Sequence, residues 1–314
     1  MAVASDLPPV VALVGPTGAG KSAIALEAAE RCAAEIVAVD AFTVYRGMDV
    51  GTAKPSPEQR SRVPHHGLDL LEPEQECSVD WFQRVARAAV ADVRGRGKVA
   101  LLVGGSGLYF RAVVDPLEFP PTDPAVRARI SARYRGDALR AHADLAAVDP
   151  DAAARMDPQN LRRAVRALEV VELTGRRFSD WRRAWDAFGS VYEGLRVVGV
   201  ELERARLARR IAQRVDRMLA EGLVDECRRL HRRALSPTAR QAIGYAEVFE
   251  HLRGRCSLAD ALERTTTRSR RYAARQQRWF AADPRVTWTV PEDACDAVVR
   301  AAGDPVASTG ERGR

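Results

Sequence analysis

The sequence predicts an α/β fold: a parallel sheet core with helices on both faces, carrying an inserted all-helical domain. Three observations lead there. Over the first hundred residues, short β-branched runs alternate with helical segments, the pattern of a parallel sheet covered on both sides. From about Asp115 to Gly194 no buried strand can be read; the segment is helical in pattern and charged, with Pro120–Pro121 near its entrance. A strand pattern then returns at Arg196–Glu201, through Val197, Val198 and Val200. The expected division is a core of residues 1–115 and 196–300, a helical insertion over 116–195, and a disordered tail over 301–314, which carries Gly, Pro and Ser.

Within the core, Val10–Val14 reads as the first strand, Gly15–Gly20 as a loop and Lys21–Ala33 as a helix. Glu35–Asp40 is a second strand ending on an acid, and Val99–Val103 a third, followed by Gly104–Gly105. Between them, Phe82, Val85, Ala89 and Val93 place a helix over Asp80–Arg94. After the insertion, helices are expected over Arg206–Ala220, Leu223–Arg233 and Leu258–Phe280, with a last edge strand at Val286–Val290.

Composition narrows the function classes. No apolar run approaches the roughly 20 residues of a membrane span, and no basic segment precedes an apolar stretch at the N-terminus, so no signal peptide is expected. The five cysteines are scattered and lack CxxC spacing, which argues against a disulfide framework or a zinc site and for a cytoplasmic protein. The net charge is +7 at a pI near 9.5, and it is uneven. Arg196–Arg285 holds 21 arginines and no lysines against 11 acids, so the excess sits in that segment. A local excess of this kind suits a polyanionic partner such as a nucleic acid.

The most specific local motif is Gly15-Pro16-Thr17-Gly18-Ala19-Gly20-Lys21-Ser22, which fits G-x-x-x-x-G-K-[ST] between a strand and a helix. Its glycines let the backbone turn tightly and aim N–H groups at a phosphate chain, with the helix N-terminus behind them. Lys21 supplies a point charge, and Ser22 a hydroxyl for phosphate or Mg²⁺. The core is therefore P-loop NTPase-like. Asp40 lies at the C-terminal end of the second strand, where open α/β sheets place ligands. A carboxylate there can hold Mg²⁺ or take a proton.

Beyond these, Asp40 to Tyr45 continues into Arg46-Gly-Met-Asp-Val-Gly-Thr-Ala-Lys-Pro55. Further blocks are Pro64-His65-His66-Gly-Leu-Asp69, Leu102 to Tyr109, Asp157 to Arg163, Arg166 to Glu169, Gln241 to Tyr245, Tyr272 to Gln276 and Trp279-Phe280. In this order, over about residues 10–290, they resemble the tRNA dimethylallyltransferases, also called tRNA isopentenyltransferases. The resemblance implies transfer of a dimethylallyl group from dimethylallyl diphosphate to N6 of the adenosine 3′-adjacent to the anticodon. It implies Asp40 as general base, and Lys21, Ser22 and Arg214 acting on the diphosphate. Mg²⁺ would be held by Ser22 and by Asp40, directly or through water. Contacts to the tRNA anticodon stem-loop are implied for Asp40, Ala41, Phe42, Thr43, Ser106, Arg127, Arg162, Arg163, Arg166, Gln241, Gly244 and Tyr245. A monomer is also implied.

Other readings of the same residues carry expectations of their own. Arg268, Arg271, Arg275 and Arg278 recur at helical spacing and form one basic face suited to phosphates, whereas Tyr272 and Trp279 on that helix are expected in the core. His65 and His66 have no third ligand spaced near them and read as structural. The chain departs from the family's usual residues at Ala41, Thr43 and Ser106, within the region that would read the adenosine. The rival function is a P-loop kinase of a small metabolite; it explains the core but neither the basic C-terminal half nor the insertion.

Overall fold

The computed structural model describes residues 7–185 and 187–303. The chain divides into two compact units, one built from residues up to Asp115 and from Ser190 onward, the other from Pro116–Gly189.

In the larger unit the order is β1 (Val10–Val14), α1 (Lys21–Arg31), β2 (Ala34–Val39), α2 (Pro57–Arg62), β3 (His65–His66), α3 (Val79–Gly95), β4 (Val99–Gly104) and α4 (Gly107–Val114). The smaller unit holds α5 (Pro124–Tyr134), α6 (Ala138–Val148), α7 (Pro150–Ala153), α8 (Leu161–Thr174) and a 3₁₀ segment, Phe178–Trp185. The larger unit then resumes with β5 (Arg196–Val200), α9 (Arg204–Ala220), α10 (Leu223–His231), α11 (Pro237–Arg240), α12 (Tyr245–Leu252), α13 (Leu258–Ala281), β6 (Val286–Thr289) and α14 (Pro291–Gly303).

Among the described residues the strands form one sheet in the order β3-β2-β4-β1-β5-β6, every pair parallel. The alternation of side chains explains its two cores. Val10, Ala12, Val14, Val37, Val39 and Leu102 face one side and pack with Phe82, Val90, Phe110 and Phe249. Val11, Leu13, Ile36, Leu101, Val198 and Val200 face the other and pack with Ala25, Ala28 and Val298 of α1 and α14. Val14, Gly104 and Val39 lie level in the register, so the loops leaving β1, β4 and β2 emerge side by side at the carboxyl edge.

The smaller unit is a helical cluster around Ile130, Tyr134, Ala141, Leu145, Met156 and Val165. Its helices are started by side-chain caps: Asp123, Asp137, Asp149 and Asn160 each accept from a backbone N–H of the following turn.

The structure differs from the sequence reading at three places. The two-residue strand β3 is too short to show a pattern; it exists because Ile36 and Val37 of β2 pair with His65 and His66. Of the tail expected over 301–314, residues 301–303 are helical, because α14 continues through Gly303; residues 304–314 lie outside the described residues. The chain re-enters the larger unit at Ser190, ahead of the returning strand. No helix among the described residues is long and apolar enough to cross a membrane.

Candidate active site

The Gly15–Ser22 loop runs from β1 into α1. Gly15, Gly18 and Gly20 all take positive φ (145°, 90° and 95°). At Gly15 a Cβ would also sit 2.7 Å from the Val200 carbonyl oxygen, so the loop can only pass β5 with glycine there. Lys21 Nζ folds back and donates to the Gly15 and Pro16 carbonyls, both at 2.9 Å. Burial, and then the Arg214 guanidinium, lower the Lys21 pKa to about 7, while Asp40 opposes them. Ser22 lies exposed in the first turn of α1.

Two contacts on this loop come from far along the chain. The Thr17 N–H donates to Gln276 Oε1 of α13 at 2.8 Å, and Gln276 is buried. Arg210 of α9 donates to the Ala19 carbonyl at 3.1 Å. One turn further on, Arg214 donates to the Thr52 carbonyl at 3.4 Å. Burial pushes the Arg214 pKa down, and Asp40 counters that. Sequence reasoning reached Arg214 but not Arg210 or Gln276.

Asp40 follows β2. Its Oδ1 accepts from the Phe42 N–H at 2.8 Å, which ties off the Asp40–Thr43 turn and leaves Oδ2 without a hydrogen bond among the described residues. Burial foremost, with the Asp40 charge adding to it, raises the pKa of Cys77 to about 11 and of Tyr272 to about 12. Tyr109 is raised as well, for the same leading cause. The Asp40 charge thus acts on two basic groups, Lys21 and Arg214, and on three weakly acidic ones, Cys77, Tyr109 and Tyr272. The Thr43 hydroxyl is buried with no partner, a cost that a ligand hydrogen bond would remove. Ser106 caps α4 without a side-chain capping bond; its hydroxyl instead meets Tyr272.

The loop Gly47–Pro55 is held by a residue the sequence reading missed. Glu226 of α10 is 2% exposed. Its Oε2 accepts from the Asp49 and Val50 N–H groups at 2.9 and 3.0 Å, and its Oε1 from the Gly51 N–H at 3.3 Å and the Tyr245 hydroxyl at 2.6 Å. Gly51 is obligatory, because a Cβ would fall 2.3 Å from the Tyr245 ring. Lys54 is buried under the same loop, bound to Asp49 and Asp69 at 2.7 and 2.6 Å and to the Tyr45 carbonyl. The expectation of tRNA contact by Tyr245 is therefore corrected: its side chain is fully buried and committed to Glu226 and Gly51. Gly244 is also buried, its N–H bound to Glu247. Gln241 is exposed.

In the helical unit, Arg127 and Arg166 are taken up internally. Both bind the buried Glu169 Oε2 at 2.9 Å, and Arg166 also donates to the Pro120 and Pro121 carbonyls. Burial raises the Glu169 pKa, but Arg127 and its other donors outweigh that and leave it lowered. Arg162 and Arg163 point outward, exposed and without an ion pair among the described residues. On α13, Arg268 pairs with Glu247, while Arg271, Arg275 and Arg278 are exposed. The expectation that Trp279 belongs to the core is overturned: it is 45% exposed. The histidines bind inward, His65 to the Val63 carbonyl and His66 to Glu35, both at 2.7 Å.

Among the described residues no cluster of three His, Cys, Asp or Glu side chains could hold a metal by itself. Ser22 and Asp40 each carry a hard oxygen donor, the kind that suits a cation that keeps water and takes its remaining ligands from a substrate's phosphates, as Mg²⁺ does.

Comparison with known proteins adds to this geometry. A family model described as IPP transferase matches residues 43–283, and one described as isopentenyl transferase matches residues 8–64. A tRNA dimethylallyltransferase of Nocardioides sp. is 48% identical over 300 residues, covering 93% of this chain and 94% of that protein. One from Kocuria rhizophila is 49% identical over 286 residues, 89% and 88% of the two chains. Among solved structures, the full-length tRNA isopentenylpyrophosphate transferase of Bacillus halodurans superposes with a TM-score of 0.68 at 36% identity, covering 93% of this chain and 95% of that one.

Proposed function

The chain belongs to the IPP transferase family, and on that premise we propose that it transfers the dimethylallyl group of dimethylallyl diphosphate to N6 of the adenosine 3′-adjacent to the anticodon in tRNA. The observation that supports the reading is that the Asp40 charge acts on both Lys21 and Arg214, so that a carboxylate suited to act as base lies within electrostatic reach of two groups suited to hold a diphosphate.

The adenosine amine attacks C1 of the dimethylallyl group, the C1–O bond breaks, diphosphate leaves and the N6 proton passes to Asp40. The amine is a poor nucleophile because its lone pair is delocalised into the ring, and a positioned carboxylate is worth roughly 10²- to 10⁴-fold. Charge develops on the departing oxygen. Lys21, Arg214 and the loop N–H groups would stabilise it electrostatically, Lys21 by turning from the Gly15 and Pro16 carbonyls. A bound Mg²⁺, held by Ser22 and, directly or through water, by Asp40, would neutralise part of the diphosphate charge. The target base must leave its stack to reach this edge. The Asp40–Thr43 turn, with its unpartnered Thr43 hydroxyl, supports the reading of the base there, with Ala41 and Phe42 beside it. Ser106 and Gln241 in the larger unit, and Arg162 and Arg163 in the helical unit, supply further RNA contacts in this reading. The enzyme acts as a cytoplasmic monomer.

The test is incubation with labelled dimethylallyl diphosphate, Mg²⁺ and unmodified tRNA, with ATP as competing donor. Label entering tRNA is expected. Phosphoryl transfer from ATP with no label in tRNA would establish the kinase reading instead. Asp40→Ala should abolish turnover and leave tRNA binding intact; equal loss of both would make Asp40 structural.

A further inference from the structure

Helix α9 lies along the phosphate loop and touches it at successive residues. A Cβ at Gly18 would come within 3.1 Å of Ile211 and 3.3 Å of Leu207, both buried. Beside them the Arg210 guanidinium covers the next two residues. Its Nη1 donates to the Ala19 carbonyl at 3.1 Å and would lie 3.3 Å from a Cβ at Gly20. Arg210 is half-buried and has no ion pair among the described residues. Glu292, within electrostatic range of it, is bound instead by Arg206 at 2.6 Å. A charged side chain laid on one backbone carbonyl, with no acid to neutralise it, is not explained by packing.

The Ala19–Gly20 peptide needs such a hold. In a trans peptide the carbonyl and the N–H point to opposite sides. With the Ala19 carbonyl turned to Arg210, the Gly20 N–H points away from the guanidinium, and it has no partner among the described residues. Neighbouring polar groups are taken: the Thr17 N–H by Gln276, the Ala19 N–H by the Pro16 carbonyl at 3.2 Å and the Gly20 carbonyl by the Ile24 N–H at 3.3 Å. Gly20 sits at φ 95°, and glycine suits negative φ equally well. Its own conformational preference therefore does not stop the peptide plane from turning over, which would present a carbonyl where the N–H now stands.

We propose that Arg210 is a positioning residue for the diphosphate: by holding the Ala19 carbonyl against α9 it keeps the Gly20 N–H aimed at a phosphate oxygen, without itself touching the phosphate. This rests on the diphosphate reading of the loop above. A turned-over peptide sets a carbonyl dipole against an anion, so the hydrogen bond acts on affinity for the donor and not on affinity for tRNA.

The experiment compares wild type, Arg210→Met and Arg210→Lys. Binding of inorganic diphosphate with Mg²⁺ is measured by calorimetry, KM for both substrates by steady-state kinetics, and the Gly20 amide by NMR on protein carrying isotope-labelled glycine. Methionine keeps an apolar stem against the loop but offers no donor; lysine keeps a charged donor of nearly the same reach. Loss of a hydrogen bond from a charged group is worth about 10- to 100-fold. Arg210→Met is therefore expected to weaken diphosphate binding by that factor and to raise the KM for dimethylallyl diphosphate alike, with the KM for tRNA unchanged. Its Gly20 amide signal, single in wild type, should split or broaden in the free protein as the peptide samples both orientations. Arg210→Lys should recover most of the affinity and the single signal. Wild-type affinity in Arg210→Met, or equal rises in both KM values, would overturn the proposal. So would lost affinity with an unaltered Gly20 signal, the mark of a guanidinium that touches the phosphate directly. A wild-type protein that binds diphosphate but prenylates no tRNA would overturn the transfer reading alone; one that binds no diphosphate would overturn both.

Discussion

Replacing Glu226 by alanine should cost both stability and grip on the diphosphate. The carboxylate takes four hydrogen bonds from the loop and from Tyr245. Asp49 is exposed and Val50 half-buried, so their N–H groups can turn to water. Gly51 and Tyr245 are buried; the Gly51 N–H keeps the Tyr245 hydroxyl oxygen, 3.1 Å away, as acceptor, so the Tyr245 O–H is the donor that would be stranded. An unsatisfied buried group costs about 1–3 kcal/mol, and the loss should be of that size. For a chain of this size, about 2–4 °C accompanies each kcal/mol, so the midpoint should fall by at least about 2 °C. The loop also presents the Thr52 carbonyl to Arg214. Its loosening should raise the KM for dimethylallyl diphosphate more than that for tRNA. Glu226→Gln, which keeps one acceptor oxygen in the same volume, should fall between the two. The assay pairs thermal unfolding with steady-state kinetics over both substrates. An alanine variant that melts within 1 °C of wild type would refute the hydrogen-bond accounting. One that melts early but keeps the wild-type KM would refute the link to Arg214.

Two further outcomes follow from the geometry. Lys21 with a pKa near 7 is charged below that pH and neutral above it, so diphosphate affinity in the wild type should be flat on the acid side and decline as pH rises through 7. Calorimetry in buffers of different ionisation enthalpy should show proton uptake on binding near pH 7; no uptake would mean that Lys21 is already charged. In the helical unit, Arg163→Ala should weaken tRNA binding and lower the salt slope by about one, whereas an unchanged slope in a salt titration would remove Arg163 from the interface.

What could be read in advance depends on sequence distance. The phosphate loop and Asp40 are local: glycine spacing and a strand-end acid lie within a few residues of the chemistry. The strands β1, β2, β4 and β5 were legible for the same reason, as continuous apolar runs. Glu226, Gln276 and Arg210 were not, because their partners lie 175, 259 and 191 residues away and nothing local marks a carboxylate or amide that will end beneath a distant loop. Tyr245 and Trp279 were each placed on the wrong side of the surface. Helical spacing says which residues share a face, but not which face is covered. The pairing of Arg166 with Glu169 was within reach, since the two stand three apart on one helix.

The strand order has a consequence for the proposed chemistry. The Gly15–Ser22 loop, the proposed diphosphate grip, leaves β1, Asp40, the proposed base, follows β2, and β4 runs between them. Neighbouring strands are about 4.8 Å apart, so grip and base are held about 10 Å from one another by two rows of backbone hydrogen bonds. The intervening strand ends in Gly104 and Gly105, where a Cβ would strike the Val39 carbonyl and the Gln276 amide; it puts no side chain into the gap. The sheet is a ruler for the proposed reacting assembly. The interval between the phosphate loop and Asp40 is set by the spacing of the strands themselves, so reshaping a loop would not change it.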